Sequence, residues 1–139
     1  MLVFVVGTGL EWVLPGTSAP SPIPPSLAEI PAGLAAGWLL FRVLGSVITV
    51  PIAEELAFRG YLLRRLISPR FDDLSTGRFT WLSFLVSSVL FGALHGRWLA
   101  GTVAGMYDAG ALSRRGRVDD AIITHTTTNA LIAADVLIL

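Results

Sequence analysis

Cysteine is absent from the 139 residues, which removes disulfides, a thiol nucleophile and every cysteine-ligated metal site. Lysine is absent as well: all ten basic residues are Arg. Charge of either sign is scarce, at 14% of residues where a soluble domain carries roughly a quarter. Apolar residues fill the gap, at 53% of the chain with a mean hydropathy of +0.70. A chain this short cannot hide them all in one water-facing core, so lipid must solvate part of the surface. Net charge is zero, and Asp72, Asp73, Asp119 and Asp120 share segments with seven of the arginines, so no basic face exists for nucleic acid. The first residues also lack the positive start and small-residue cleavage pattern of a signal peptide.

The pattern predicts an all-α, polytopic transmembrane helix bundle with about four core helices, in residues 33–139. Residues 1–32 read as a partial apolar helix (Met1 to Leu14) followed by a connector holding six of the eight prolines, expected to run extended along a membrane surface. On that reading the chain is expected to be a piece of something longer. A helical pattern then runs from Gly33 to Ile67, and its single breaker, Pro51, is expected to kink or split it near Val50. Helices are predicted from Phe79 to Gly96, from Trp98 to Ser113 and from Ala121 to Leu139. Gly101, Gly105 and Gly110 of the middle one read as surfaces for close helix contact. Two crossings separate the arginines at 64–78 from those at 114–117, so both groups lie on one side. The positive-inside rule makes that side the cytoplasm.

Against this background a few polar residues are out of place. Glu54 and Glu55 fall about 15 Å along the helix from Arg64, where an acid costs ~2.5–3.5 kcal/mol in the bilayer. Glu55 has a partner in Arg59 at i, i+4, with the acid on the favourable N-terminal side. Glu54 points about 100° away and has none nearby. The chain's two histidines, His95 and His125, close one predicted helix and open another. Asn129 follows His125 by one turn on the same face, and Phe91 precedes His95 by one turn and can wall it from lipid. Three helices thus carry groups that do not belong on a lipid face, and convergence around a hydrated cavity is the cheapest arrangement. A carboxylate beside an imidazole there can take a proton from water, and His125 and Asn129 can donate to the oxyanion that forms.

The wording of these residues resembles a family. EELAFR (Glu54 to Arg59), FGALH (Phe91 to His95) and HTTTN (His125 to Asn129) look like the EExxxR, FxxxH and HxxxN motifs, in the same order, of the CAAX prenyl endopeptidase type II and bacteriocin-processing (CPBP, or Abi) intramembrane peptidases. The surrounding sequence also resembles the exosortase-associated branch. The resemblance implies that Glu54 and His95 activate water, that His125 and Asn129 hold the oxyanion, and that Arg59 braces Glu55. The candidate catalytic set is therefore Glu54, Glu55, His95, His125 and Asn129, supported by Arg59 and Phe91. No cofactor is favoured. Zinc, if used, would sit on Glu54, His95 and His125. Expected partners are the lipid bilayer and a membrane-embedded or lipidated protein or peptide substrate, with the protein in a bacterial cytoplasmic membrane.

Blander readings stand beside these. Glu55 with Arg59 also reads as a plain structural ion pair, Asn129 as glue between helices, and Asp108, in the third predicted helix, as a residue that departs from the family and reaches an interface, an Arg or water. Arg64 and Arg65 read as topology anchors. The competing functions are an idle membrane scaffold or immunity factor on the same fold, and a proton-coupled carrier. HExxH, GxGD and GxSG are all absent, which removes the other intramembrane protease chemistries.

Overall fold

A computed structural model describes residues 23–138. Met1 to Leu14 and the first part of the connector lie outside the described residues. Within the rest of the connector, Pro25–Glu29 forms a short 3-10 turn, where an extended run was expected.

The described chain is helical, with no strand among its described residues. Helix α1 runs unbroken from Ala32 to Arg65, 34 residues. Pro51 neither splits it nor ends it. Gly45–Thr49 and Leu56–Leu62 adopt π-helical turns on either side of Val50–Glu55, and the donor that Pro51 lacks is accommodated by the first of them. The two wider turns raise the mean number of residues per turn, so Pro51, Glu55, Arg59 and Leu63, spaced at exact fours, stay on one buried face. In a regular α-helix that row would drift. From Arg42 to Arg65 the helix covers roughly 35 Å, close to the thickness of a hydrocarbon core.

Helix α2 is Trp81–Ala93, shorter than expected at its C-terminal end, and starts at a Thr80 cap whose side chain accepts from the Ser83 amide at 3.2 Å. At about 20 Å it does not span the core alone, and His95 lies in the turn beyond it. Helix α3 is Trp98–Arg115 and helix α4 is Val118–Ile138. Gly116 ends α3 in the left-handed region at φ 69°, a conformation suited to glycine.

Helices α2 and α3 pack closely because of glycines. A Cβ at Gly92 would collide with Thr102 Oγ1, and one at Gly101 would lie 3.0 Å from Gly92 Cα and 3.1 Å from His95 Cβ. Gly105 rests on Ser88 and Phe91. Gly110 departs from expectation: nothing lies within 4 Å of its Cβ position, and it borders a surface cavity between α3 and α4.

Burial is inverted relative to a water-soluble protein. Buried side chains include Glu55, Arg59, Asp108, His125 and a run of Ser and Thr, while Phe41, Trp81 and Ile138 are exposed at 78%, 70% and 81%. The hydroxyls of Ser88, Thr102 and Thr128 donate to carbonyls one turn back in their own helices, which removes the cost of burying them. An apolar exterior around a polar interior is what lipid selects, and the protein is an integral membrane helix bundle.

The two arginine segments meet at one end: Thr76 Oγ1 donates to the Gly116 carbonyl, and Gly77 packs on Gly116. Arg64 does more than mark the interface. It donates to the carbonyls of Phe71 at 2.6 Å and Leu74 at 3.0 Å and so ties down the loop after α1.

Candidate active site

Each polar residue singled out from the sequence is placed by a different local device. Glu54 and Glu55 close the short α-helical stretch between the two π turns of α1. His95 is set by the turn after α2, where its amide donates to the Gly92 carbonyl at 2.9 Å. His125 lies on the buried stripe of α4 with Ala121 and Thr128.

Glu55, Arg59 and His125 form one buried unit. Glu55 Oε2 lies 3.1 Å from Arg59 Nε, and Glu55 Oε1 lies 3.0 Å from His125 Nδ1. Both Glu55 and Arg59 are 0% exposed. Arg59 also donates through Nη2 to the Gly105 carbonyl at 2.8 Å, and its guanidinium carbon lies 4.4 Å from the centre of the Phe91 ring. Phe91 in turn packs on His95 and His125, with ring centres 4.6 and 5.5 Å away. It is the wall common to both imidazoles and the guanidinium.

Glu54 faces the other way, onto both histidines. Its Oε2 lies 3.8 Å from His95 Nε2 and 3.8 Å from His125 Nε2. That oxygen is buried and has no hydrogen-bond partner. The tautomers follow from what the Nδ1 atoms touch. His95 Nδ1 lies 2.8 Å from the Phe91 carbonyl, which can only accept, so Nδ1 carries a proton. His125 Nδ1 faces the Glu55 carboxylate and carries one for the same reason. Each neutral ring therefore points a lone pair from Nε2 at the Glu54 carboxylate. Three acceptors converge with no donor between them.

Asn129 is arranged differently. Its Nδ2 donates to the Ser46 carbonyl at 2.8 Å, across to the first π turn of α1. The origin of that bond is Pro51. In this π turn the Val50 amide donates back to Gly45, so the next amide in the pattern would donate to Ser46, and at position 51 there is none. Asn129 supplies the missing donor. One of its two N–H groups is thereby committed, and the other has no partner among the described residues.

Asp108 belongs with these residues and was not in the expected set. It is 2% exposed, and its Oδ2 lies 3.9 Å from Arg59 Nη2. The argument that singles out Glu54, an acid in mid-helix in an apolar chain, applies equally to Asp108. Ser46 carried no signal, since its carbonyl became available only through the π turn.

Two metal arrangements can be compared. Glu55, Asp108 and His125 offer ligand atoms within 4.8 Å of one another, but the Arg59 guanidinium already supplies the positive charge there and a second cation does not fit. Glu54, His95 and His125 leave room for a cation but do not close around one: Glu54 Oε2 lies 3.8 Å from each Nε2, yet the three ligand atoms do not all lie within 4.8 Å of one another, where those on a tetrahedral zinc lie ~3.4 Å apart.

No curated protein and no solved structure matches the chain. A family model does, the type II CAAX prenyl endopeptidase Rce1-like family, over residues 36–131, a span that holds all three motifs and the whole buried cluster. With the match covering well over half of the 139 residues, the chain belongs to the type II CAAX prenyl endopeptidase Rce1-like family, a family of intramembrane proteases.

Proposed function

We propose that the protein is an intramembrane endopeptidase that hydrolyses a peptide bond of a membrane-embedded or lipidated protein, using water activated by Glu54 and His95. The observation that carries this reading is the convergence of three acceptors, Glu54 Oε2 and the two Nε2 atoms, with both Nδ1 atoms already engaged. A water molecule has the two protons such a place lacks. Donating one to Glu54 and one to His95, it turns an oxygen lone pair towards a substrate carbonyl.

As the new C–O bond forms, Glu54 takes the water proton, a general-base contribution of about 10²–10⁴ in rate. Negative charge then develops on the carbonyl oxygen. In the neutral ring His125 Nε2 is an acceptor, because Nδ1–H is held by Glu55, so it faces the water rather than this oxygen. The second N–H of Asn129 is the available donor. Collapse of the intermediate breaks the C–N bond, and the proton on Glu54 passes to the leaving amine.

Zinc on Glu54, His95 and His125 would supply a bound water of lowered pKa. Our reading is the metal-free route. Elemental analysis of the purified protein tests it: expected is far less than one zinc per chain, and stoichiometric zinc overturns it.

A cavity of about 210 Å³ between α1 and α4 supports an apolar substrate segment. Trp38, Val43, Ile132 and Val136 line it, with Ser46 and Asn129 at its polar edge. The contact between the two arginine loops, at one end of the bundle, supports their assignment to the cytoplasmic side of a bacterial membrane.

The test is cleavage by the purified full-length protein in proteoliposomes, with a prenylated CAAX-terminated peptide and its unprenylated twin in parallel. Cleavage of at least one is expected, with loss in Glu54→Gln and His95→Ala at unchanged helix content. Normal cleavage by both variants would overturn the mechanism.

A further inference from the structure

The proposed mechanism gives Asp108 no step of its own, and a carboxylate buried at mid-helix is too costly to leave without a role. Its ion-pair partner among the described residues is Arg59, at 3.9 Å, beyond hydrogen-bond reach, and its carboxylate also lies within 4.8 Å of a Glu55 oxygen and a His125 ring nitrogen. That guanidinium is held from two sides. From α1, Glu55 meets Nε at 3.1 Å; from α3, the Gly105 carbonyl accepts from Nη2 at 2.8 Å, with Asp108 one turn further along the same helix. Gly105 and Asp108 thus give α3 one negative face towards Arg59.

The consequence falls on Glu55, whose two oxygens have different tasks. Oε2 faces Arg59, while Oε1 lies 3.0 Å from His125 Nδ1. A guanidinium prefers to fork onto both oxygens of one carboxylate. With Glu55 as its sole counter-ion, Arg59 would recruit Oε1 as well and release the imidazole.

We propose that Asp108 is a positioning residue for His125: its charge draws Arg59 towards α3, so that Glu55 keeps one oxygen for Nδ1 and the ring stays aimed at Glu54. This rests on the proteolytic reading only for its consequence in catalysis. The geometry it concerns is measurable in a protein that cleaves nothing.

The alternative is that Asp108 and Arg59 merely clip α1 to α3. Because the chain has two histidines, ¹⁵N-histidine NMR of the full-length protein in lipid nanodiscs separates the two ideas. Asp108→Asn keeps shape and an acceptor and removes the charge. Expected in that variant is a His125 Nδ1–H that exchanges with water about 10-fold faster, with the His95 signals, anchored by the Phe91 carbonyl, as in the parent. Where cleavage is measurable, kcat should fall about 10- to 100-fold with KM within about twofold, as for other partners that orient a working histidine. A clip alone would lower Tm and leave the His125 signals and kcat per folded molecule unchanged, and that result overturns the proposal. If Asp108→Asn does not fold, Asp108→Glu is read instead. It keeps the charge, so parental His125 exchange is expected, and loss of that protection refutes the idea. Altered His125 exchange in a protein without proteolytic activity would leave the positioning role standing and remove the proteolytic reading.

Discussion

Glu55 is sealed at 0% exposure between Arg59 and His125, whereas Glu54, its neighbour in the chain, keeps 27% of its side chain accessible and meets only acceptors. One carboxylate lies against a guanidinium and an imidazole Nδ1, and the other faces two imidazole Nε2 atoms with no cation beside it. The difference comes from helix geometry: successive residues point about 100° apart, and the π turns hold Glu55 in register with Arg59 and leave Glu54 on the histidine side. An acid paired with a cation stabilises a bundle. An acid without one, beside two imidazoles, is suited to moving protons.

Substitution of the two acids should therefore separate function from stability. Glu54→Gln is expected to lower kcat/KM by about 10³-fold or more with Tm nearly unchanged, read from initial cleavage rates and thermal unfolding in detergent. Glu55→Gln should show in the protein itself. It leaves Arg59 buried beside a neutral amide, a loss of about 3–5 kcal/mol, so the yield of folded protein and Tm should both drop. Equal effects of the two substitutions on Tm would erase the distinction.

A smaller effect tests where Asn129 belongs. Its bond to Ser46 exists because Pro51 has no N–H, so Asn129→Leu should destabilise by about 1 kcal/mol, and the same change in a Pro51→Ala background by clearly less. If activity is lost in both backgrounds, Asn129 also serves the oxyanion; if Pro51→Ala restores it, the residue is a brace. The smallest effect is expected at the glycines of α3. Gly110→Ala should leave unfolding free energy within about 0.5 kcal/mol of the parent, because its Cβ meets nothing, while Gly101→Ala, against Gly92 and His95, should cost activity and stability together.

The contrast between the two acids was readable in advance only in part. That Glu55 pairs with Arg59 and that Glu54 points elsewhere follows from i, i+4 spacing, and four helices follow from hydropathy and the arginine clusters. That Glu54 meets the histidines follows from the family resemblance and the cost of polar groups in lipid, but the distances do not follow from spacing, because they depend on packing between helices whose contact surface is set by Gly92 as much as by Gly101 and Gly105. Residue counting from the arginines alone puts His95 and His125 at different depths, about 25 and 12 Å in. The structure shortens α2 and sets His95 in the following turn, where it meets Glu54 at 3.8 Å. A split at Pro51 is absent for a related reason: breaker rules describe a regular helix, and π turns flank the proline within one continuous helix. Asp108 was visible as an oddity, but its partner lies on another helix, and no spacing rule reaches across a bundle.

The most direct measurement is a paired one on Glu54→Gln and the parent, reconstituted at equal folded concentration with membrane proteins of the host. New peptide termini, quantified by mass spectrometry, should appear with the parent and be absent with the variant, while the two proteins unfold at the same temperature. The same termini forming at the same rate with Glu54→Gln would contradict the assignment of Glu54 as the base that activates water.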